Sequence, residues 1–91
     1  MSRQRRLHEM QDGEVACVAD VEGNDTLAQR LMEMGFLAGT TVQLLGRAPW
    51  GEPLEYLVRG TRLSLRKREA ERIVLTDRAS AGSTSGTVLL Q

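Results

Sequence analysis

The residues able to do chemistry in this chain are few. His8 is the single histidine and Cys17 the single cysteine. An imidazole and a thiolate are both transition-metal ligands, but one of each falls short of the closed set of four nitrogen and sulfur donors that a structural zinc needs. Either residue also has an ordinary reading, His8 as a solvated side chain near a terminus and Cys17 as a small packed strand residue. If a zinc-like ion binds, His8 is the expected protein anchor. Carboxylates, anions, water or a second copy of the chain would fill the other positions. Such an ion would be adventitious or would bridge a dimer, and no cofactor is expected to be required.

Catalytic roles cannot be filled from this inventory. There is no nucleophile with a base at workable spacing, no Gly-x-x-x-x-Gly-Lys-Ser/Thr phosphate loop and no Gly-x-Gly-x-x-Gly turn. The residues suited to binding are of another kind. Arg47-Ala-Pro-Trp-Gly-Glu-Pro53 carries the only tryptophan of the chain, Trp50, at the tip of a turn-rich loop. Trp and Arg are the usual energetic anchors of protein interfaces. Pro49, Gly51 and Pro53 suit the turn itself. Met32, Phe36 and Leu37 stand at the end and exit of a short helical pattern, where adaptable apolar side chains either join the core or form a binding surface. The partner-binding candidates are therefore Met32, Phe36, Leu37, Arg47 and Trp50.

These residues need a scaffold, and 91 residues supply one modest domain. Aromatics make up only 3% of the chain, so Leu, Val, Ile and Met must build the core. The formal net charge is zero, which argues against a generic nucleic-acid binder. Eleven of the twelve cations are arginine, and they concentrate between Arg59 and Arg72. That Arg-rich face lacks the interleaved aromatics that single-strand binding uses. No apolar run approaches the ~20 residues that span a bilayer, and Met1 to Met10 lacks the apolar stretch of a signal peptide. A reducing cytoplasm is the expected compartment.

Period-two alternation dominates. Glu14–Val21 reads as a first strand, with both parities apolar. Leu27, Leu31 and Met34 mark one stripe of a helix over Thr26–Met34, with Asn24, Asp25 or Thr26 as its cap and Gly35 as its left-handed stop. Thr26 and Gln29 have the spacing of a capping box. Thr41–Leu45, Leu54–Arg59 and Arg62–Arg66 alternate as half-buried strands, with a type II′ turn expected at Gly60-Thr61. Lys67–Glu71 reads as one helical turn and Arg72–Thr76 as a last strand. The pattern predicts a mainly β fold, a small antiparallel barrel with one inserted helix. Residues 1–76 form the domain, with a loose basic leader over residues 1–6 and a short anchoring turn at Leu7 and Met10. Residues 77–91 form a Ser/Gly-rich tail with an apolar end, Val88-Leu89-Leu90.

Three pieces in this order resemble the FeoA family of bacterial ferrous-iron transport. They are Leu27-Ala-Gln-Arg-Leu-Met-Glu-Met-Gly-Phe-Leu-Ala-Gly39, Arg47-Ala-Pro-Trp-Gly-Glu-Pro53, and Leu63-Ser-Leu-Arg-Lys-Arg-Glu-Ala70 before Ile73-Val-Leu75. The resemblance spans about Leu7 to Leu75. Ala38 stands where the family usually has proline, and Trp50 where it usually has an aliphatic residue or phenylalanine. The resemblance implies an SH3-like barrel in the cytoplasm with no catalysis of its own. It implies action on the FeoB-type membrane transporter, which carries a cytoplasmic GTP-binding domain. From the residues themselves no direct membrane insertion is expected, and a homodimer bridged by a shared ion is one candidate assembly. The alternative is a metal-responsive regulatory domain like the C-terminal module of iron-dependent repressors. No DNA-binding helix pair accompanies it here.

Overall fold

The computed structural model describes residues 4–76. The expected linker and its apolar end, residues 77–91, lie outside the described residues. Five strands, β1 (Val15–Val21), β2 (Thr41–Arg47), β3 (Leu54–Val58), β4 (Thr61–Leu65) and β5 (Ile73–Leu75), form one antiparallel sheet in the order β4-β3-β2-β1-β5. Helix α1 (Thr26–Glu33) joins β1 to β2, and a single turn α2 (Lys67–Ala70) joins β4 to β5. A 3-10 turn, Leu7–Glu9, precedes the sheet.

Two irregularities bend the sheet. Val18 pairs with Leu75 but Asp20 with Val74, so Ala19 is an extra residue in β1. The slip reverses the alternation, which is why Ala16, Val18 and Val21 are all buried. That resolves the two apolar parities of this strand. The second irregularity lies between Leu44, opposite Tyr56, and Gly46, opposite Glu55. It brings Arg47 opposite the buried Leu54, on the core side of the sheet.

The strand faces follow the sequence pattern. Val42, Leu44, Leu54, Tyr56, Val58 and Leu65 are buried, joined by Ala28 and Leu31 of α1 and by Ile73 and Leu75. No polar or charged residue is buried among the described residues. The N-terminal segment is no loose leader from residue 4 onward. Leu7 and Met10 are core residues, Arg6 bridges Val74, and the Leu75 amide donates to the Arg5 carbonyl at 2.8 Å. Arg5 pairs with Glu14, and Arg6 with Glu22 at 2.7 Å.

Helix α1 is capped by one of the three expected residues and stops at Gly35 as expected, but it differs in detail at each end. Its cap is Asp25, whose Oδ1 accepts from the Ala28 amide, so the Thr26–Gln29 box is not the device used. Arg72 donates to both oxygens of the same carboxylate, at 2.9 and 2.8 Å. That contact, with the Ala28 amide, holds the Asp25 carboxyl well below the usual carboxylate range. At the other end the Phe36 amide donates to the Leu31 carbonyl and the Gly35 amide to the Met32 carbonyl, with Gly35 at φ +117°. This is the Schellman arrangement, in which the residue after the glycine packs on the last turn. It folds Phe36 inward against Leu31 and leaves Met34 partly exposed, outside the stripe it was expected to join.

Val58 pairs directly with Thr61, so the β3–β4 turn is Arg59-Gly60, one residue earlier than expected. Both residues have positive φ, 54° and 81°, which is the type I′ pattern rather than II′. Arginine is a poor occupant of that conformation and asparagine a good one. Arg59→Asn is therefore expected to raise stability by about 0.5–1 kcal/mol, read as a higher urea midpoint at unchanged slope. A lower midpoint would show that the Arg59 side chain stabilises the turn in some other way.

Candidate functional site

The bulge in β2, the β2–β3 loop and the N-terminal turn meet at a cleft of about 310 Å³, lined by His8, Arg47, Trp50, Gly51, Glu52, Leu54 and Lys67. Three of the six candidate residues, His8, Arg47 and Trp50, are thus brought together by segments far apart in sequence. Trp50 is 83% exposed, the most exposed large apolar side chain among the described residues. The loop that carries it is closed by its own backbone, with the Ala48 amide donating to the Pro53 carbonyl at 3.2 Å and the Gly51 amide to the Ala48 carbonyl at 2.8 Å. The indole therefore stands off the core on a braced turn.

Arg47 has a structural task. Its guanidinium donates to the Met10 carbonyl at 2.9 Å and lies 3.4 Å from Asp12. It ties the N-terminal turn to β2 and fixes one wall of the cleft. Glu52 acts similarly on the opposite wall, accepting from the Lys67 amide at 2.7 Å and so satisfying one free donor of α2. Lys67, Glu52 and Leu54 escaped the sequence reading of the site because nothing local in the chain relates residue 52 to residue 67.

His8 is partly buried, and its Nδ1 is buried without a hydrogen-bond partner among the described residues. No group of three or more His, Cys, Asp or Glu able to hold a metal occurs among the described residues. A transition metal at His8 would need donors from outside this set. Cys17 is partly buried on β1, with its Sγ 3.7 Å from the Gly39 carbonyl oxygen.

Met32 and Leu37 are exposed, at the end of α1 and just beyond it, and neither lines the cleft. Phe36 is corrected: it is fully buried, with no side-chain surface to offer a partner, because the Schellman turn packs it into the core. The cleft walls are mixed, with cationic Arg47 and Lys67, anionic Glu52, and apolar Leu54 and Trp50. Such a surface suits recognition of a protein segment with an apolar anchor.

A small antiparallel β domain with one inserted helix and an aromatic-rimmed cleft belongs to the SH3-like class of folds. Within that class the chain matches the FeoA domain over residues 5–77, and it belongs to the FeoA family of ferrous-iron transport. It is 37% identical to the FeoA of Stenotrophomonas maltophilia, whose crystal structure with zinc is described as a prokaryotic SH3 domain protein. The two superpose with a TM-score of 0.74 over 82% of this chain and 93% of that one. It is also 35% identical over 68 residues to a fusion of Fe(2+) transport protein A with the Fe(2+) transporter FeoB from Porphyromonas gingivalis. That alignment covers 75% of this chain but only 8% of the fusion protein. A manganese-dependent transcriptional repressor, 18% identical, superposes at a TM-score of 0.73 over 84% of this chain and 37% of its own, a likeness of fold alone. No helix among the described residues is long and apolar enough to cross a membrane.

Proposed function

We propose that this protein is a cytoplasmic accessory factor, without catalysis of its own, that docks on a FeoB-type ferrous-iron transporter and favours its activity. The observation that carries the reading is the braced, 83% exposed Trp50 at the rim of the cleft. A large aromatic held in water is unfavourable unless a partner covers it. The fused relative supports the choice of partner, since covalent linkage is a way of keeping two interacting modules at high effective concentration. Docking would favour transport only by differential binding, the accessory domain preferring the active state of the transporter. Met32 and Leu37 serve as secondary contacts in this reading, and Arg47 holds the cleft in shape. The test is affinity for the soluble cytoplasmic domain of a FeoB-type transporter from the same organism and for the full-length transporter in lipid. Binding to neither, with a folded sample, overturns the proposal.

The same reading keeps His8 as the anchor of an ion shared between two copies. With Nδ1 buried, Nε2 is the nitrogen left for a metal. Sedimentation is expected to show a zinc-dependent dimer that His8→Ala abolishes, and a chain that stays monomeric at high zinc removes the idea.

A further inference from the structure

Among the described residues, strand β4 is a terminal strand of the sheet, paired only with β3. The other terminal strand, β5, is covered by the N-terminal segment through the Arg6–Val74 bridge. The type I′ turn fixes which groups of β4 face outward. Val58 and Thr61 close it as a hydrogen-bonded pair, and alternation makes Tyr56–Leu63 and Leu54–Leu65 the next such pairs. Arg62 and Ser64 then direct their N–H and C=O groups away from β3, and both residues are exposed. The outward run stops at Arg66, whose amide donates to Glu69 Oε1 at 2.7 Å.

The surroundings of this edge are cationic. Arg59, Arg66 and Arg68 make no ion pair among the described residues, and Arg62 reaches Glu55 only at 3.6 Å with both side chains exposed. Arg66 and Arg68 line a depression at the far end of the strand, beside Glu52. An unpaired edge is a template for another strand, and its flanking charge selects which strand. Two such edges would repel one another, so a second copy is disfavoured. The absence of exposed aromatics along β4 disfavours stacked bases.

We propose that the open edge of β4 takes an acidic, extended segment of a partner protein as an added strand. Arg62 and Ser64 supply the ladder, and Arg59, Arg66 and Arg68 the charge match. This surface adjoins the Trp50 cleft at Glu52, but its ladder groups on Arg62 and Ser64 lie outside that cleft, and it does not depend on the identity of the partner there.

The probe is a short synthetic peptide alternating glutamate with valine, titrated into the isotope-labelled full chain by amide NMR at low salt. The expected result is saturable shifts centred on the Arg62 and Ser64 amides. Alternate backbone N-methylation of the peptide should weaken binding about tenfold or more, because ladder hydrogen bonds are lost while charge is kept. Ser64→Pro should weaken it similarly, since proline is tolerated at an open edge but donates nothing. If that variant fails to fold, the N-methylated peptide still decides. Equal affinity for the N-methylated peptide would reduce the effect to charge alone and overturn the proposal. So would shifts confined to the Trp50 loop, equal binding of a lysine–valine peptide, displacement of the acidic peptide by single-stranded oligonucleotide, or concentration-dependent shifts at the same amides without peptide.

Discussion

Trp50→Ala is expected to weaken association with the transporter by about 2 kcal/mol, roughly thirtyfold in Kd, while leaving thermal stability within about 0.5 kcal/mol of the parent. The two halves of this result come from one fact. The indole is 83% exposed, so truncating it removes little packing from the free protein. In a complex the same side chain is the largest apolar surface available for burial on this face, and interface energy concentrates in such anchors. Trp50→Phe should recover part of the loss, because an aromatic ring persists on the same braced turn. Isothermal titration and a melting curve on the same samples check both halves. A variant that melts much earlier would place Trp50 in the core of the folded protein in solution. A variant that binds as tightly as the parent would move the docking surface elsewhere, with Met32 and Leu37 the next residues to truncate.

The strands and the site differ in how far they can be read from residues alone. In β3 the period-two spacing of Leu54, Tyr56 and Val58, with Glu55 and Arg59 on the opposite parity, is a local signal, and the structure buries those three side chains. Gly35 after the helical stripe is equally local, and it takes the left-handed conformation. The fate of Phe36 depends on one hydrogen bond to Leu31 that composition does not reveal, so an exposed binding residue and a core residue look alike in sequence. The bulges act in the same way. An extra residue at Ala19 or at Leu45 shifts every later side chain to the other face, and only pairing with β5 or β3 shows where the extra residue sits. The cleft is the least legible element, because its walls come from residue 8, residues 47–54 and residue 67. What sequence could supply was the chemistry of three of its members, His8, Arg47 and Trp50.

Leu7→Ala is expected to have the largest effect on stability, a loss of about 2–5 kcal/mol. Leu7 lies in a three-residue turn outside the sheet, yet it is fully buried and packs in the same cluster as Tyr56 and Leu75. Its backbone is held as well, since the Tyr56 hydroxyl donates to the Leu7 carbonyl at 3.0 Å inside the core. Truncation would leave a cavity that the sheet, pinned by its ladders, cannot fill. For a domain of this size total stability is on the order of 4–10 kcal/mol, so the variant should be partly unfolded at moderate urea where the parent is native. Tyr56→Phe separates the hydrogen bond from the packing. It should cost about 0.5–1.5 kcal/mol, the Leu7 carbonyl losing one of its two donors and keeping the Met10 amide at 3.2 Å. It should also change the alkaline limb. Burial pushes the Tyr56 phenol well above its ordinary value near 10, so the unfolded chain ionises first. This contribution to parent stability is fully present below pH ~10 and falls as pH rises further, and the Phe variant should lack that part of the decline. Urea midpoints for parent, Leu7→Ala and Tyr56→Phe at neutral and alkaline pH measure all three effects. A Leu7→Ala midpoint within about 1 kcal/mol of the parent would mean that the N-terminal turn is not part of the cooperative core, and the wall it gives to the cleft would then be formed only on binding.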